Sequence, residues 1–166
     1  MTSESPIVEN FMLGMQAFVK GDFSESEALF TKILTGTPDY KPALVSRGAA
    51  RLKDNRAKVA IQDFDRAIEL DNANARAFHL RGLAYEKQGL NDAAVDDFNR
   101  AIAIDPEYGA AYYSRANLYA KMNRAADAAA DMQEVAQLTQ QNVTAYAHDN
   151  NMIHSVLYTN GRRGWC

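Results

Sequence analysis

Apolar residues along this chain recur with the period of an α-helix. Val, Ile and Thr nowhere alternate with polar residues over the length of a strand. The stretch HLRGLAYEKQGL, residues 79–90, is typical: Leu80, Leu83, Ala84 and Tyr85 gather on or near one helical face. Arg81 sits beside that face, where a leucine would pack better. Arg47 stands thirty-four residues earlier and Arg115 thirty-four residues later, each in a similar helix. A charge placed near a core three times at a fixed interval points to an internal repeat.

The repeat is in phase without insertion or deletion. A step of thirty-four residues aligns Gly14, Gly48, Gly82 and Ala116, then Ser26, Ala60, Ala94 and Ala128, then Phe30, Phe64, Phe98 and Met132. Four units follow, 7–40, 41–74, 75–108 and 109–142, within one domain spanning 1–166. Each reads as helix, turn, helix. In the third, the helices are expected over about 75–88 and 92–104. Gly89 offers the left-handed turn between them, and Pro106 closes the unit. Gly21, Asn55 and Asn123 hold the same turn position in the other units, and Gly and Asn are the residues that best tolerate positive φ. Ser24 and Glu27 have the spacing of a capping box at the second helix of unit one. Gly82 and Ala94 are small enough for the paired backbones to approach closely, with Phe98 and Tyr85 filling the space beside them.

These positions resemble the tetratricopeptide repeat (TPR) family. Unit three carries the motif most fully, with Phe78, Gly82, Tyr85, Ala94, Phe98, Ala101 and Pro106 at signature positions. There are departures: Ala17 and Arg51 replace the usual Tyr, Asn72 and Gln140 replace the closing Pro, and Ile33 replaces a small residue. The resemblance implies an all-α, right-handed α-solenoid of helix pairs whose first helices line a concave groove. It also implies a protein-binding adaptor or assembly scaffold.

The arginines have partners in the sequence. Units two, three and four carry Asp63, Asp97 and Asp131 on their second helices; unit one carries Leu29 there and Leu13 in place of the arginine. The two positions switch together from Leu/Leu to Arg/Asp. This predicts structural salt bridges within repeats: Arg47–Asp63, Arg81–Asp97 and Arg115–Asp131.

With the packing stripe assigned, the remaining stripe of each first helix is expected to face the groove. Unit one supplies Phe11, Met15 and Phe18. Unit two supplies Val45, Ala49, Leu52 and Lys53, and unit three Arg76, His79, Leu83 and Lys87. Unit four supplies Tyr113, Asn117 and Lys121. The amino-terminal half is strongly apolar, which suits a partner's helix or extended peptide. Self-association, with the groove holding a segment of a neighbouring copy, is the alternative, and cover by the chain's own first residues is a third. Lys53, Lys87 and Lys121 form a ladder that suits an acidic ligand or, more simply, compensates helix C-termini. Some TPR adaptors grip the acidic carboxyl terminus of chaperones with a Lys/Asn/Arg clamp. Phe11, Met15, Val45, Ser46 and Leu80 stand where that clamp would lie and only Arg76 fits, so the resemblance does not extend to that ligand.

Composition narrows the remaining classes. A net charge of −3 supplies no electrostatic reason to bind nucleic acid. The single cysteine, Cys166, allows no disulfide within the chain and suits a cytoplasmic protein. No apolar run has the length of a membrane span, and the first residues lack the pattern of a secretory signal. His148 and His154 are poorly spaced for one metal, and Asp96 and Asp97 point about 100° apart on a helix. No nucleophile–base set and no phosphate loop appears. The expectation is binding without catalysis, cofactor or metal.

Residues 143–158 continue with apolar pairs that suit a capping helix over the last repeat. The end, TNGRRGWC, reads as a flexible tail in which Trp165 is a candidate anchor.

Overall fold

The computed structural model describes residues 6–149. It contains eight helices and, among the described residues, no strand: α1 (Pro6–Lys20), α2 (Phe23–Gly36), α3 (Lys41–Lys53), α4 (Ala57–Leu70), α5 (Ala75–Lys87), α6 (Asn91–Ile104), α7 (Gly109–Lys121) and α8 (Ala125–Asp149). The helices pair in chain order, and each pair stacks on the next.

Within a pair, the glycine of the first helix lies under a phenylalanine of the second. A Cβ added at Gly82 would come within 2.7 Å of the Phe98 ring and 3.2 Å of the Ala94 carbonyl oxygen. Gly48 meets Phe64 and Gly14 meets Phe30 in the same way, and all three rings are fully buried. Unit four changes both partners at once, to Ala116 and Met132. The turns between paired helices place Gly21, Asn55, Gly89 and Asn123 at φ of 84°, 59°, 75° and 60°. That is the left-handed region, where a Cβ is disfavoured unless its side chain is short and polar.

Curvature follows from which helices touch. α1 contacts α3, α3 contacts α5 and α5 contacts α7, whereas α2, α4, α6 and α8 make no contact with one another. The first helices therefore form the inner row and the second helices the splayed outer row. Apolar clusters join one repeat to the next: Ile33 and Leu34 with Ala43 and Leu44, and Ile68 with Phe78 and Ala111.

One local expectation, the Ser24–Glu27 capping box, is corrected. The N-cap of α2 is Asp22, whose carboxylate accepts from the Glu25 amide at 3.2 Å. Glu27 instead takes Arg51 at 2.7 Å and also binds Arg56, because two guanidinium groups outcompete a backbone amide for its charge. Arg51, where the motif usually has Tyr, joins Glu27 of unit one to Asp63, which it reaches at 2.8 Å. Of the expected cap, 143–158, only residues 143–149 are described. Residues 143–149 continue α8, which runs without a break from Ala125. Gln140 stands where Pro38 and Pro106 close earlier units, so nothing there ends the helix. Residues 150–166, including Trp165 and Cys166, lie outside the described residues.

Candidate functional site

The inner row of helices forms an open cavity of about 550 Å³. Its floor is apolar. Leu52 on α3 and Leu118 on α7 are buried beneath it, Leu80 and Leu83 on α5 are half-buried, and Phe18 closes the α1 end. Phe18 is itself held edge-on to Phe23, 5.5 Å between centroids, so its position is set by the α1–α2 pair. A smaller cavity of about 300 Å³ lies alongside, where Phe11, Val45 and Ser46 face Asn74 and Arg76.

The structure brings most of the expected groove residues to these two cavities. Phe18, Ala49, Leu52, Lys53, Leu83, Lys87 and Lys121 line the larger one, Phe11 and Val45 the smaller, and Arg76 both. Met15 is turned into the core around Phe30 instead. Tyr113 and Asn117 are exposed on α7 and line neither cavity. Leu118 and Asn91 belong to the lining and were not foreseen. Leu118 directly follows Asn117, so a rotation of α7 by one residue, about 100°, separates the two assignments.

His79 is a correction. It is 7% exposed and sits between repeats, not on the groove wall. Its Nε2 is 2.9 Å from the Ser114 hydroxyl and its Nδ1 is 3.1 Å from the Tyr108 hydroxyl, so both ring nitrogens are satisfied by hydroxyls that donate or accept as the tautomer requires. Burial, aided by the positive charge of Arg76, pushes its pKa down to about 4 and keeps the ring neutral. Tyr108 meets the ring edge-on at 5.2 Å between centroids. The aromatic pair and its hydrogen bonds join α5 to α7 in fixed register.

The periodic arginines serve the scaffold. Arg47 reaches Asp63 at 2.6 Å, Arg81 reaches Asp97 at 2.7 Å, and Arg115 reaches Asp131 at 2.6 Å, each across one helix pair. Each arginine also turns a nitrogen to the preceding repeat, where Thr31, Asp65 and Asn99 accept. Two carboxylates hold the Arg81 guanidinium above its ordinary pKa, Asp97 contributing most. The lysines of the ladder differ among themselves. Lys121 is paired with Glu86 at 2.7 Å, and Lys87 donates to the Asn55 side chain at 2.9 Å. Lys53 makes no ion pair or hydrogen bond among the described residues.

Among the described residues, no group of three or more His, Cys, Asp or Glu side chains is placed to hold a metal, and no helix is long and apolar enough to cross a membrane.

Comparison with known proteins places this architecture. A tetratricopeptide-repeat family model matches residues 75–108, and a second TPR-repeat model matches residues 48–89. Sperm-associated antigen 1 of Mus musculus is 33% identical over 73 residues, 44% of this chain. The match spans only 8% of that curated relative's length. Among solved structures, residues 41 to the end of MamA from Desulfovibrio magneticus RS-1 align with a TM-score of 0.73 at 23% identity, covering 82% of this chain and 77% of that one. The first TPR domain of Spaghetti (RPAP3), bound to the HSP90 peptide SRMEEVD, aligns with a TM-score of 0.67 at 20% identity, covering 70% of this chain and 93% of that one. At these identities the two structures are similar to this chain in fold alone.

Proposed function

We propose that this chain, a tetratricopeptide-repeat protein, is an interaction module that holds a partner protein's helix or extended segment in its concave face. The observation that carries the reading is the cavity of about 550 Å³ on the inner row, with half-buried Leu80 and Leu83 exposed to its interior. An apolar concavity open to water is a site for a partner's side chains. A similar fold that holds a peptide, the RPAP3 domain, supports the reading. The role is that of an adaptor or assembly scaffold, and a chain with one cysteine suits the reducing cytoplasm.

A photo-crosslinking amino acid placed at Phe18 tests this in the source cell, with the same group at Lys58, an exposed residue of α4, as control. A discrete adduct is expected from position 18 and not from position 58. No adduct at position 18, or identical adducts at both, overturns the reading.

A second reading is end-to-end association of copies, and one observation favours it. Leu13 occupies the register position at which Arg47, Arg81 and Arg115 meet the preceding repeat. On α1, Leu13 is 44% and Met12 60% exposed. A mass that rises with concentration in light scattering, and that Leu13→Glu abolishes, would establish this association.

A further inference from the structure

We infer that the groove recognises an internal segment whose apolar side chains are flanked on both sides by carboxylates, an inference that rests on the groove reading above. The ends of α5 carry it. Lys53, Lys87 and Lys121 are each the last residue of a first helix, where a cation meets the negative end of the helix dipole. Dipole compensation alone accounts for them. It does not account for Arg76, the second residue of α5, where the positive end of the dipole disfavours a cation. Arg76 is exposed and has no ion pair or hydrogen bond among the described residues, and its charge also bears on buried His79. Lys41 shows the contrast: it too begins a helix, α3, but Asp71 neutralises it at 3.0 Å.

Arg76 therefore opposes the dipole of its own helix, and among the described residues nothing offsets it. It lines both cavities, and across the larger one stands Lys53, also without an ion pair among the described residues. The one carboxylate lining the larger cavity is Glu86, which Lys121 already holds, and the one lining the smaller is Asp71, which Lys41 holds. The groove is thus positive at both ends of an apolar floor, on a protein whose net charge is −3. Arg76 and Lys87 are eleven residues apart on one helix, roughly 16 Å at about 1.5 Å per residue. An extended segment of about five residues spans that distance. The fitting segment has apolar side chains seated over Leu52, Leu83 and Leu118, and an Asp or Glu toward each rim. Recognition is through side chains and needs no free carboxyl terminus.

A library of random peptides of about a dozen residues, displayed on phage by their carboxyl ends, is selected against the full chain. This format offers no free terminal carboxylate. Selected peptides are then synthesised and titrated against variants. Enrichment of Asp or Glu on both sides of Leu, Ile, Met, Phe or Trp is expected. Arg76→Glu and Lys53→Glu should each weaken binding by about tenfold at low salt and less at high salt, while Lys58→Glu on α4 leaves it unchanged. Arg76→Glu places an acid at a helix N-terminus, so its thermal midpoint should hold or rise, and lost binding is not lost folding. Peptides that lose binding on Leu83→Ser but are neutral or basic, and that bind Arg76→Glu as well as the native chain, overturn this inference and leave the groove reading standing. Peptides indifferent to Leu83→Ser, or no enrichment at all, overturn both.

Discussion

Arg81 grips Asp97 with two parallel hydrogen bonds, Nε to Oδ2 at 2.8 Å and Nη2 to Oδ1 at 2.7 Å, while its remaining nitrogen reaches Asp65 of the preceding repeat at 2.7 Å. One side chain thus joins three helices: its own α5, α6 of its own repeat and α4 of the repeat before. Asp97 is nearly fully buried, whereas the Asp65 side chain is 44% exposed. The in-repeat bond is the one whose loss strands a charge; the bond to Asp65 adds a more exposed polar contact between one repeat and the next.

Arg81→Leu should therefore destabilise the fold by about 2–4 kcal/mol, because Asp97 is left buried without its partner. Arg81→Leu combined with Asp97→Leu should recover much of that loss, as the Leu13 and Leu29 pair of unit one uses the same positions. Chemical denaturation of both singles and the double measures the coupling. Losses that simply add would mean that the pair is not a unit.

Gly82→Ala should cost about 1–3 kcal/mol, although alanine is the better helix former by up to about 1 kcal/mol. Steric contact wins because the new Cβ would lie 2.7 Å from the Phe98 ring, which is fully buried and cannot retreat. Phe98→Met introduced beside it should relieve the clash, since unit four pairs Ala116 with Met132. Thermal melts of the two single variants and the double check this, with a double less stable than Gly82→Ala as the refuting outcome.

Acid sensitivity should trace to His79. Its folded pKa of about 4 lies below the ordinary value of 6.5, so between those two values the unfolded chain holds a proton that the folded chain does not. Stability from this residue is complete above pH 6.5 and is lost as pH falls toward about 4. The whole effect is about 3 kcal/mol. His79→Gln keeps hydrogen-bonding groups for Ser114 and Tyr108 but does not titrate. Urea unfolding at about pH 7 and about pH 4.5 should show the native chain losing more stability than the variant. Equal losses would assign the acid sensitivity to other groups.

Much of the scaffold is legible in the residues alone because the repeat supplies its own internal comparison. Gly21, Asn55, Gly89 and Asn123 mark the turns since few residues accept positive φ. The joint switch from Leu13 and Leu29 to Arg and Asp identifies a contact that one copy of the motif would have hidden. Local steric rules and covariation between copies act at fixed sequence separations, and a linear pattern retains them.

The groove lining depended on helix rotations of about one residue and on contacts between repeats. His79 and Leu83 lie four residues apart on α5, on one stripe of the helix, yet Leu83 lines the cavity while His79 is buried against Tyr108 and Ser114 of the next unit. Asn117 and Leu118 are neighbours, and only the second reaches the floor. The third bond of each arginine, the absence of a break in α8 after residue 142, and the position of Arg76 over two cavities, unpaired among the described residues, emerged in the same way. Helical periodicity assigns a face to within about 100°. The stacking of one repeat on another decides which edge of that face is covered and which remains open, and it rests on the summed packing of side chains far apart in the chain.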